Sequence, residues 1–181
     1  MRRARVAGDH EPLMAVPASV DRWLSELAAM PDFLELAGLE LGADRAATPG
    51  PGGTFSLVEQ AWHLADLERE GFGQRIDRLQ QEERPHLPDF DGARIARERS
   101  YKSRALAEGL AAFRAARTRN LEALRHLPED AWDCSGTQEN VGPITLRDIP
   151  ARMAEHDAGH REEIRALLES LGSRGKPPSP A

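Results

Sequence analysis

The sequence predicts an all-α fold, a four-helix bundle with long connections between the helices. Alanine, leucine, glutamate and arginine abound while aromatic residues make up only 5% of the 181 residues, a mixture that favours helices over strands. Four segments repeat apolar residues at spacings of three and four, and no long run alternates as a half-buried strand would. Four amphipathic helices bury their apolar faces by packing together as a bundle.

The first predicted helix begins near Ser19, a suitable N-cap, and carries an apolar stripe as far as Leu41. Pro31 should kink or split this helix, because proline lacks the amide hydrogen that the helix ladder requires. The second predicted helix begins near Ser56, whose spacing to Glu59 fits a capping box, and it ends near position 83.

The third predicted helix spans roughly Ile95 to His126 and has long loops on both sides. The fourth is capped by Thr145 and Asp148 and ends near Gly172, where a glycine commonly terminates a helix. These long connections predict that some consecutive helices are not antiparallel hairpin neighbours.

One bundle domain is expected over residues 18–172, with a flexible N-terminal arm over 1–17 and a disordered, proline-rich tail over 173–181. The N-terminus lacks the apolar core of a signal peptide and no stretch is apolar enough to span a membrane, so a cytoplasmic location is expected by default. The single cysteine, Cys134, excludes an internal disulfide and a cysteine-based zinc site.

The net charge of -6 argues against a general nucleic-acid binder. The charge is uneven, because residues 94–125 contain nine arginines and lysines against three glutamates, a net charge of +6. We favour a basic helix that complements an acidic neighbour, and the alternative is a basic wall that attracts an anionic small substrate.

His156 and His160 are the most informative residues, because their spacing places them one turn apart on the apolar face of the fourth helix. That face comprises Leu146, Ile149, Met153, His156, His160, Ile164, Leu167 and Leu171. Two imidazoles directed at one interior point are a ready pair of metal ligands. His63, at the margin of the second helix's apolar stripe, offers a third ligand.

Three neutral imidazoles would leave metal positions open for water or substrate, as in a catalytic site. Such ligands suit a divalent metal such as zinc, nickel or iron, and ligand type alone does not choose among them. A carboxylate such as Glu59 or Asp66 would instead complete a closed, non-catalytic site. In the simplest alternative, His156 and His160 are ordinary core or boundary histidines.

Two other metal-site patterns fit poorly. The stretch from His156 to His160 resembles the HExxH helix of metalloproteases, but Asp157 is one methylene too short for the usual general base and Gly159 weakens the helix. A ferritin-like di-iron bundle needs Glu-x-x-His pairs on two helices, and His63 has Glu59 four residues before it rather than three.

Arg117 lies near the centre of the third helix's apolar face, and a core-facing arginine needs an anionic partner. The functional interpretation is a clamp for a substrate carboxylate beside the metal. The alternative is a snorkelling side chain or a salt bridge to an acidic helix.

Several motifs resemble those of the DinB/YfiT-like family of metal-dependent proteins. The stretch SLVEQAWHLADLE at 56–68 is similar to that family's second-helix motif. LPEDAW at 127–132, GPITLRD at 142–148 and AEHDAGH at 154–160 are similar to its loop and fourth helix. The resemblance covers residues 19–171, and one histidine on the second helix followed by His-x-x-x-His on the fourth is its specific part.

The resemblance implies a four-helix bundle that binds a divalent metal through His63, His156 and His160, often as a homodimer. Relatives of this kind include bacillithiol S-transferases and mycothiol-dependent maleylpyruvate isomerase. We therefore expect a small-molecule substrate and a low-molecular-weight thiol, which a metal would hold as the nucleophilic thiolate. The alternative function is a non-catalytic metal-binding bundle that acts as a dimeric stress-related or binding module.

Overall fold

The computed structural model describes residues 16–172, and the arm and tail expected at the two ends lie outside these residues apart from positions 16 and 17. The helices are α1 (Ala18–Ala28), α2 (Met30–Leu41), α3 (Leu57–Asp66), α4 (Gly73–Gln81), α5 (Gly92–Glu98), α6 (Leu106–Arg125) and α7 (Ile149–Gly172). The strands are β1 (His86–Leu87), β2 (Ser135–Gln138) and β3 (Gly142–Thr145). Among the helices of residues 16–172, none is long and apolar enough to cross a membrane.

The described helices form the predicted four-helix bundle. The first bundle helix consists of α1 and α2, which meet at Ala29, two residues before Pro31. The helix therefore breaks where the proline predicts a break. The second consists of α3 and α4, joined without interruption by a π-helical segment, Leu67–Phe72. The first packs on both α6 and α7, whereas the second packs mainly on α6. Although α6 and α7 are consecutive in the bundle, they pack less on each other than on these helices.

A small sheet lies in the connections, and the all-helical prediction overlooked it. Strand β1 pairs in parallel with β2, and β2 pairs antiparallel with β3. Each strand has two to four residues, too few to show an alternating pattern in the sequence. The sheet places Gln138, at the end of β2, where it lines one cavity with Phe72 and Arg75 of the second bundle helix.

The prediction of one helix over Ile95–His126 is wrong at its start. The chain leaves the helical path after α5, where Ser100 adopts a left-handed φ of 51°. This turn directs Tyr101 inward, and its fully buried hydroxyl donates a hydrogen bond to Asp66. Burial of that aromatic ring therefore overrides the helix propensity of the surrounding residues.

The basic segment 94–125 pairs with acidic neighbours, which agrees with the favoured interpretation of its charge. Arg114 donates to Asp32 and Glu35 on α2, at 2.6 Å and 2.8 Å. Arg119 donates to Asp77 on α4 at 2.7 Å. These contacts pair α6 with carboxylates on two neighbouring helices.

A buried ion network centred on Arg117 connects the bundle helices. The Arg117 side chain is 1% exposed and donates to both oxygens of Asp157 on α7, at 2.7 Å and 2.9 Å. It also donates to Glu68 of the π-helical segment at 2.9 Å and to the Leu27 carbonyl oxygen of α1 at 2.9 Å. Asn120 donates to the second oxygen of Glu68 at 2.8 Å. All four bundle helices thus contribute to one polar cluster.

Replacement of Arg117 with methionine should destabilise the protein by about 3–5 kcal/mol, because it leaves Glu68 and Asp157 buried without a cation. Urea unfolding at neutral pH would measure this loss. The matched control is Arg119→Met, because Arg119 is 58% exposed and pairs with a partly exposed Asp77. That control should cost less than about 1 kcal/mol. Equal losses in the two variants would contradict a dominant role for the buried network.

Candidate metal centre

The helix that carries His63 has a fixed starting point. Ser56 accepts a hydrogen bond from the backbone N–H of Glu59 at 3.3 Å, and Glu59 accepts one from the backbone N–H of Ser56 at 3.0 Å. This is the predicted capping box, and it begins α3 at Leu57. His63 therefore lies in the second turn of α3, and its side chain is 9% exposed.

The helix that carries the other two histidines is positioned in a similar way. Thr145 and Asp148 form the second predicted capping box, in a short turn that leads directly into α7. His156 and His160 follow on one face of α7, and both are partly buried. Since Met153 and Ile164 on the same face are fully buried, the core fixes the direction in which the two imidazoles point.

The structure brings all three predicted histidines together. One ring nitrogen from each of His63, His156 and His160 lies within 4.8 Å of the other two. The Nε2 atoms of His156 and His160 are 3.3 Å apart. Two nitrogen ligands of a tetrahedral zinc ion, at zinc–nitrogen distances of about 2.0–2.1 Å, are separated by roughly 3.3–3.4 Å. The arrangement therefore suits a bound divalent metal.

Burial keeps all three imidazoles in the neutral form that metal binding requires. Burial and the adjacent His156 lower the pKa of His63 to about 4. Burial and His160 lower the pKa of His156 to about 3, and burial and His63 lower the pKa of His160 to about 3. At neutral pH each ring therefore has one nitrogen lone pair available for coordination.

Hydrogen bonds outside the cluster orient His160. Its Nδ1 contacts the Oε1 atom of Gln60, and the Gln60 amide nitrogen donates to Glu163 at 2.6 Å. Since the amide oxygen only accepts, Nδ1 carries the hydrogen and Nε2 faces the other histidines with its lone pair. The buried Nδ1 atoms of His63 and His156 have no hydrogen-bond partner among the described residues. Among the described residues, a side-chain hydrogen bond therefore orients the His160 ring, whereas packing orients the rings of His63 and His156.

The carboxylates that could close the site are occupied elsewhere. Glu59 serves the capping box, and Asp66 accepts hydrogen bonds from Tyr101 and from Arg99, the latter at 2.7 Å. Asp157 pairs with Arg117 in the core, which removes support for the metalloprotease-like alternative. Within residues 16–172, the cluster consists of histidines alone, so the geometry favours an open site over a closed four-ligand one.

The position of Arg117 favours the salt-bridge alternative over the substrate clamp. Burial alone would lower the pKa of Arg117, but Glu68 and Asp157 raise it above its ordinary value. Its guanidinium already donates to both carboxylates and is 1% exposed. A substrate would have to displace these buried partners, and the cavity beside the histidines is lined by other residues.

An open cavity of roughly 330 Å³ borders His63 and His156. The second bundle helix, the loop that precedes α5, strand β2 and α7 all contribute to its wall. Besides the two histidines, the lining residues are Leu67, Phe72, Arg75, Asp89, Phe90, Gln138, Arg152 and Glu155. A mixed apolar and charged cavity beside possible metal ligands is the usual form of a small-molecule site.

Comparison with known proteins agrees with this architecture. The sequence model of the DinB superfamily matches residues 26–164, a range that contains the three histidines. The chain belongs to the DinB superfamily. A similar solved structure is that of YfiT from Bacillus subtilis, described as "a probable metal-dependent hydrolase with an unusual four-helix bundle topology". The match has a TM-score of 0.78 and 21% identity, and it covers 91% of this chain and 95% of that chain, which establishes the fold. Comparison with curated proteins gives no match.

No sequence pattern in this DinB-superfamily chain marks the residues that hold His63 in place. Gly92, the first residue of α5, lies against the imidazole: a Cβ atom there would be 2.4 Å from Cε1 and 2.7 Å from Nδ1 of His63. The rings of Phe55 and Phe90 pack at centroid distances of 5.7 Å and 5.9 Å. These residues come from loops and from a short helix start, where no periodic pattern marks them.

Gly92→Ala should displace the His63 ring and weaken zinc binding at least about ten-fold, the usual effect of disturbing a residue that orients a ligand. Competition with a fluorescent zinc chelator would measure the change. Gly159→Ala is the matched control, because Gly159 lies between the other two histidines and a Cβ there meets no atom of the described part of the chain within 4 Å. Comparable zinc affinity in both variants would contradict the positioning role of Gly92.

The lowered pKa values also predict how the stability of the metal-free protein depends on pH. An unfolded histidine takes up a proton near pH 6.5, whereas His63, His156 and His160 resist protonation until about pH 4 or 3. The contribution of each histidine to the free energy of unfolding is therefore complete above about pH 6.5. It declines as the pH falls, by at most about 1.4 kcal/mol per pH unit.

Urea unfolding with a chelator present, at about pH 7.5 and about pH 5, would measure this decline. His160→Leu should flatten the dependence on pH, because it removes one of the three groups. His126→Leu, a change at an exposed histidine, should retain the dependence of the unmodified protein. The same decline in all three proteins would show that the buried histidines do not cause it.

Proposed function

We propose that this chain is a metal-dependent enzyme in which His63, His156 and His160 hold one divalent metal and a small nucleophile occupies an open metal position. One observation carries the proposal: three neutral imidazoles converge, two of them at the wall of an open cavity, and within residues 16–172 their cluster contains no carboxylate. This donor set suits zinc, nickel or iron(II). An open coordination position is typical of a catalytic rather than a structural metal site.

A metal held here would lower the pKa of a bound thiol or water and so supply a nucleophile at neutral pH. We propose a low-molecular-weight thiol as that nucleophile, and S-transfer or isomerisation as the reaction, on the basis of the resemblance carried by the four motifs. The description of YfiT as a hydrolase supports water as the second candidate. The homodimer and the cytoplasmic location stay predictions.

The protein's own residues have separate roles in this proposal. Gln60 accepts the hydrogen on Nδ1 of His160, which keeps its Nε2 atom available as a ligand. Phe55 and Phe90 pack on the His63 ring and shield it from water. Gly92 lacks a side chain, so its backbone can lie directly against the same ring. The cavity beside His63 and His156 admits the second substrate.

Elemental analysis of protein purified without a histidine tag tests the metal site. We expect about one divalent metal per chain, lost in His160→Ala because two imidazoles alone bind zinc far more weakly. His126→Ala, at an exposed histidine outside the cluster, should retain the metal. Absence of metal in all three proteins, with none taken up on titration with zinc, nickel or iron(II), would overturn the proposal.

Assays on the metal-loaded protein then separate the nucleophiles. Bacillithiol, mycothiol and glutathione would each be offered with an electrophilic aryl halide, and thiol consumption would be recorded. Turnover that requires both the metal and His160 supports thiol transfer. Hydrolysis of activated esters without thiol consumption would support water instead. Metal binding without either activity would favour the non-catalytic bundle.

A further inference from the structure

Arg75 of α4 is a buried cation that the proposed metal centre does not use. Its side chain lines the cavity beside the histidines and is 8% exposed. Its Nε atom has no hydrogen-bond partner within residues 16–172, and its described polar contacts are long, 3.4 Å to the Pro88 carbonyl oxygen and 4.0 Å to Asp89. A guanidinium removed from water normally has its donors satisfied by anions. Arg75 therefore has donors to spare in a cavity open to ligands.

A second guanidinium faces the same cavity. Arg152 of α7 lines it one turn before His156. Burial lowers the pKa of Arg75, the Asp89 carboxylate partly opposes this, and the charge of Arg152 lowers the pKa further. Two guanidinium groups that line one cavity offer several hydrogen-bond donors to an anion bound between them.

The π-helical segment brings Arg75 to the side of the helix that carries His63. Arg75 follows His63 by 12 residues, and an uninterrupted α-helix, at about 100° per residue, would place the two side chains about 120° apart. A π-helix has more residues per turn, so the segment Leu67–Phe72 reduces that rotation. Both side chains consequently line one cavity.

Gly73 permits this local geometry. Its backbone N–H bonds to the carbonyl oxygen of Glu68, five residues earlier, and a Cβ atom at Gly73 would lie 2.6 Å from that oxygen. The side chain of Asn120 donates to the same oxygen at 2.8 Å. The segment is thus specifically supported by its neighbours, and π-helical turns of this kind are frequent at functional sites.

We propose that Arg75 and Arg152 form a subsite that binds a carboxylate group of the substrate beside the metal centre. This rests on the proposed function and names the substrate class, a small carboxylate-bearing molecule. Asp89 and Glu155 line the same cavity and balance the two arginines, so the lining favours a singly charged carboxylate over a doubly charged phosphate.

The test compares matched probes on the zinc-loaded protein. Dissociation constants from ligand-observed NMR would be compared for 3-mercaptopropionate against 3-mercaptopropionamide, and for butyrate against butyramide. We expect the carboxylate of each pair to bind about ten-fold or more tightly than the amide, as a charge-assisted hydrogen bond predicts. In Arg75→Met and in Arg152→Met the preference should fall below about two-fold.

Arg78→Met is the matched control, because Arg78 lies on the same helix but pairs with Glu82 at the surface. It should keep the full carboxylate preference. Arg75→Lys, which retains a charge without the planar guanidinium, should keep part of it. If Arg75→Met does not fold, Arg152→Met and Arg75→Lys decide the question.

Equal affinity for carboxylate and amide in the zinc-loaded protein would overturn the subsite and leave the metal centre intact. A preference that survives both methionine variants would also overturn it, because the carboxylate would then bind the zinc ion itself. Tighter binding of inorganic phosphate than of butyrate would overturn the substrate class. If the protein holds no zinc, the proposed function fails, and the butyrate pair still decides whether the arginines bind a carboxylate.

Discussion

The buried guanidinium of Arg117 constrains the relative rotation of the bundle helices. Removing such a charge from water is costly, so the packing must supply its anionic partners in one particular arrangement. Glu68 is five residues after His63, and Asp157 follows His156 directly. The contacts that satisfy the charge therefore also set how the two histidine-bearing helices face each other, and the metal centre takes its geometry from this constraint.

The same charges influence the chemistry of the histidines. After burial and the neighbouring His160, the charges of Arg117 and Arg75 are the causes that lower the pKa of His156. Cations on the core side and on the cavity side thus both disfavour protonation of this imidazole. Arg117, which stabilises the bundle core, and Arg75, which lines the cavity, thus both help to keep a possible ligand nitrogen of His156 unprotonated.

The sequence predicted what regular patterns encode. The helix faces, both capping boxes, the break at Pro31 and the pairing of His156 with His160 follow from periodicity and short-range spacing. The addition of His63 as a third ligand rested on the resemblance to the DinB/YfiT-like family. The helix break before Tyr101 could not be predicted, because it depends on a contact with Asp66 from a distant helix. The short strands and the packing of Gly92 against His63 likewise arise from tertiary contacts that leave no local signal. The two glycines that flank Phe72 were the available sign of an irregular second helix.

The π-helical segment lets the second bundle helix carry one additional residue without changing which side faces the histidines. A π turn amounts to one additional residue within an α-helix. An α-helix without that residue would place Arg75 about 20° from His63 around the helix axis. The side that lines the cavity therefore stays in register before and after the turn, and the additional residue alters the segment Leu67–Phe72 alone. An insertion confined to this turn thus changes the backbone that meets Asn120 and leaves the flanking helix faces where they were.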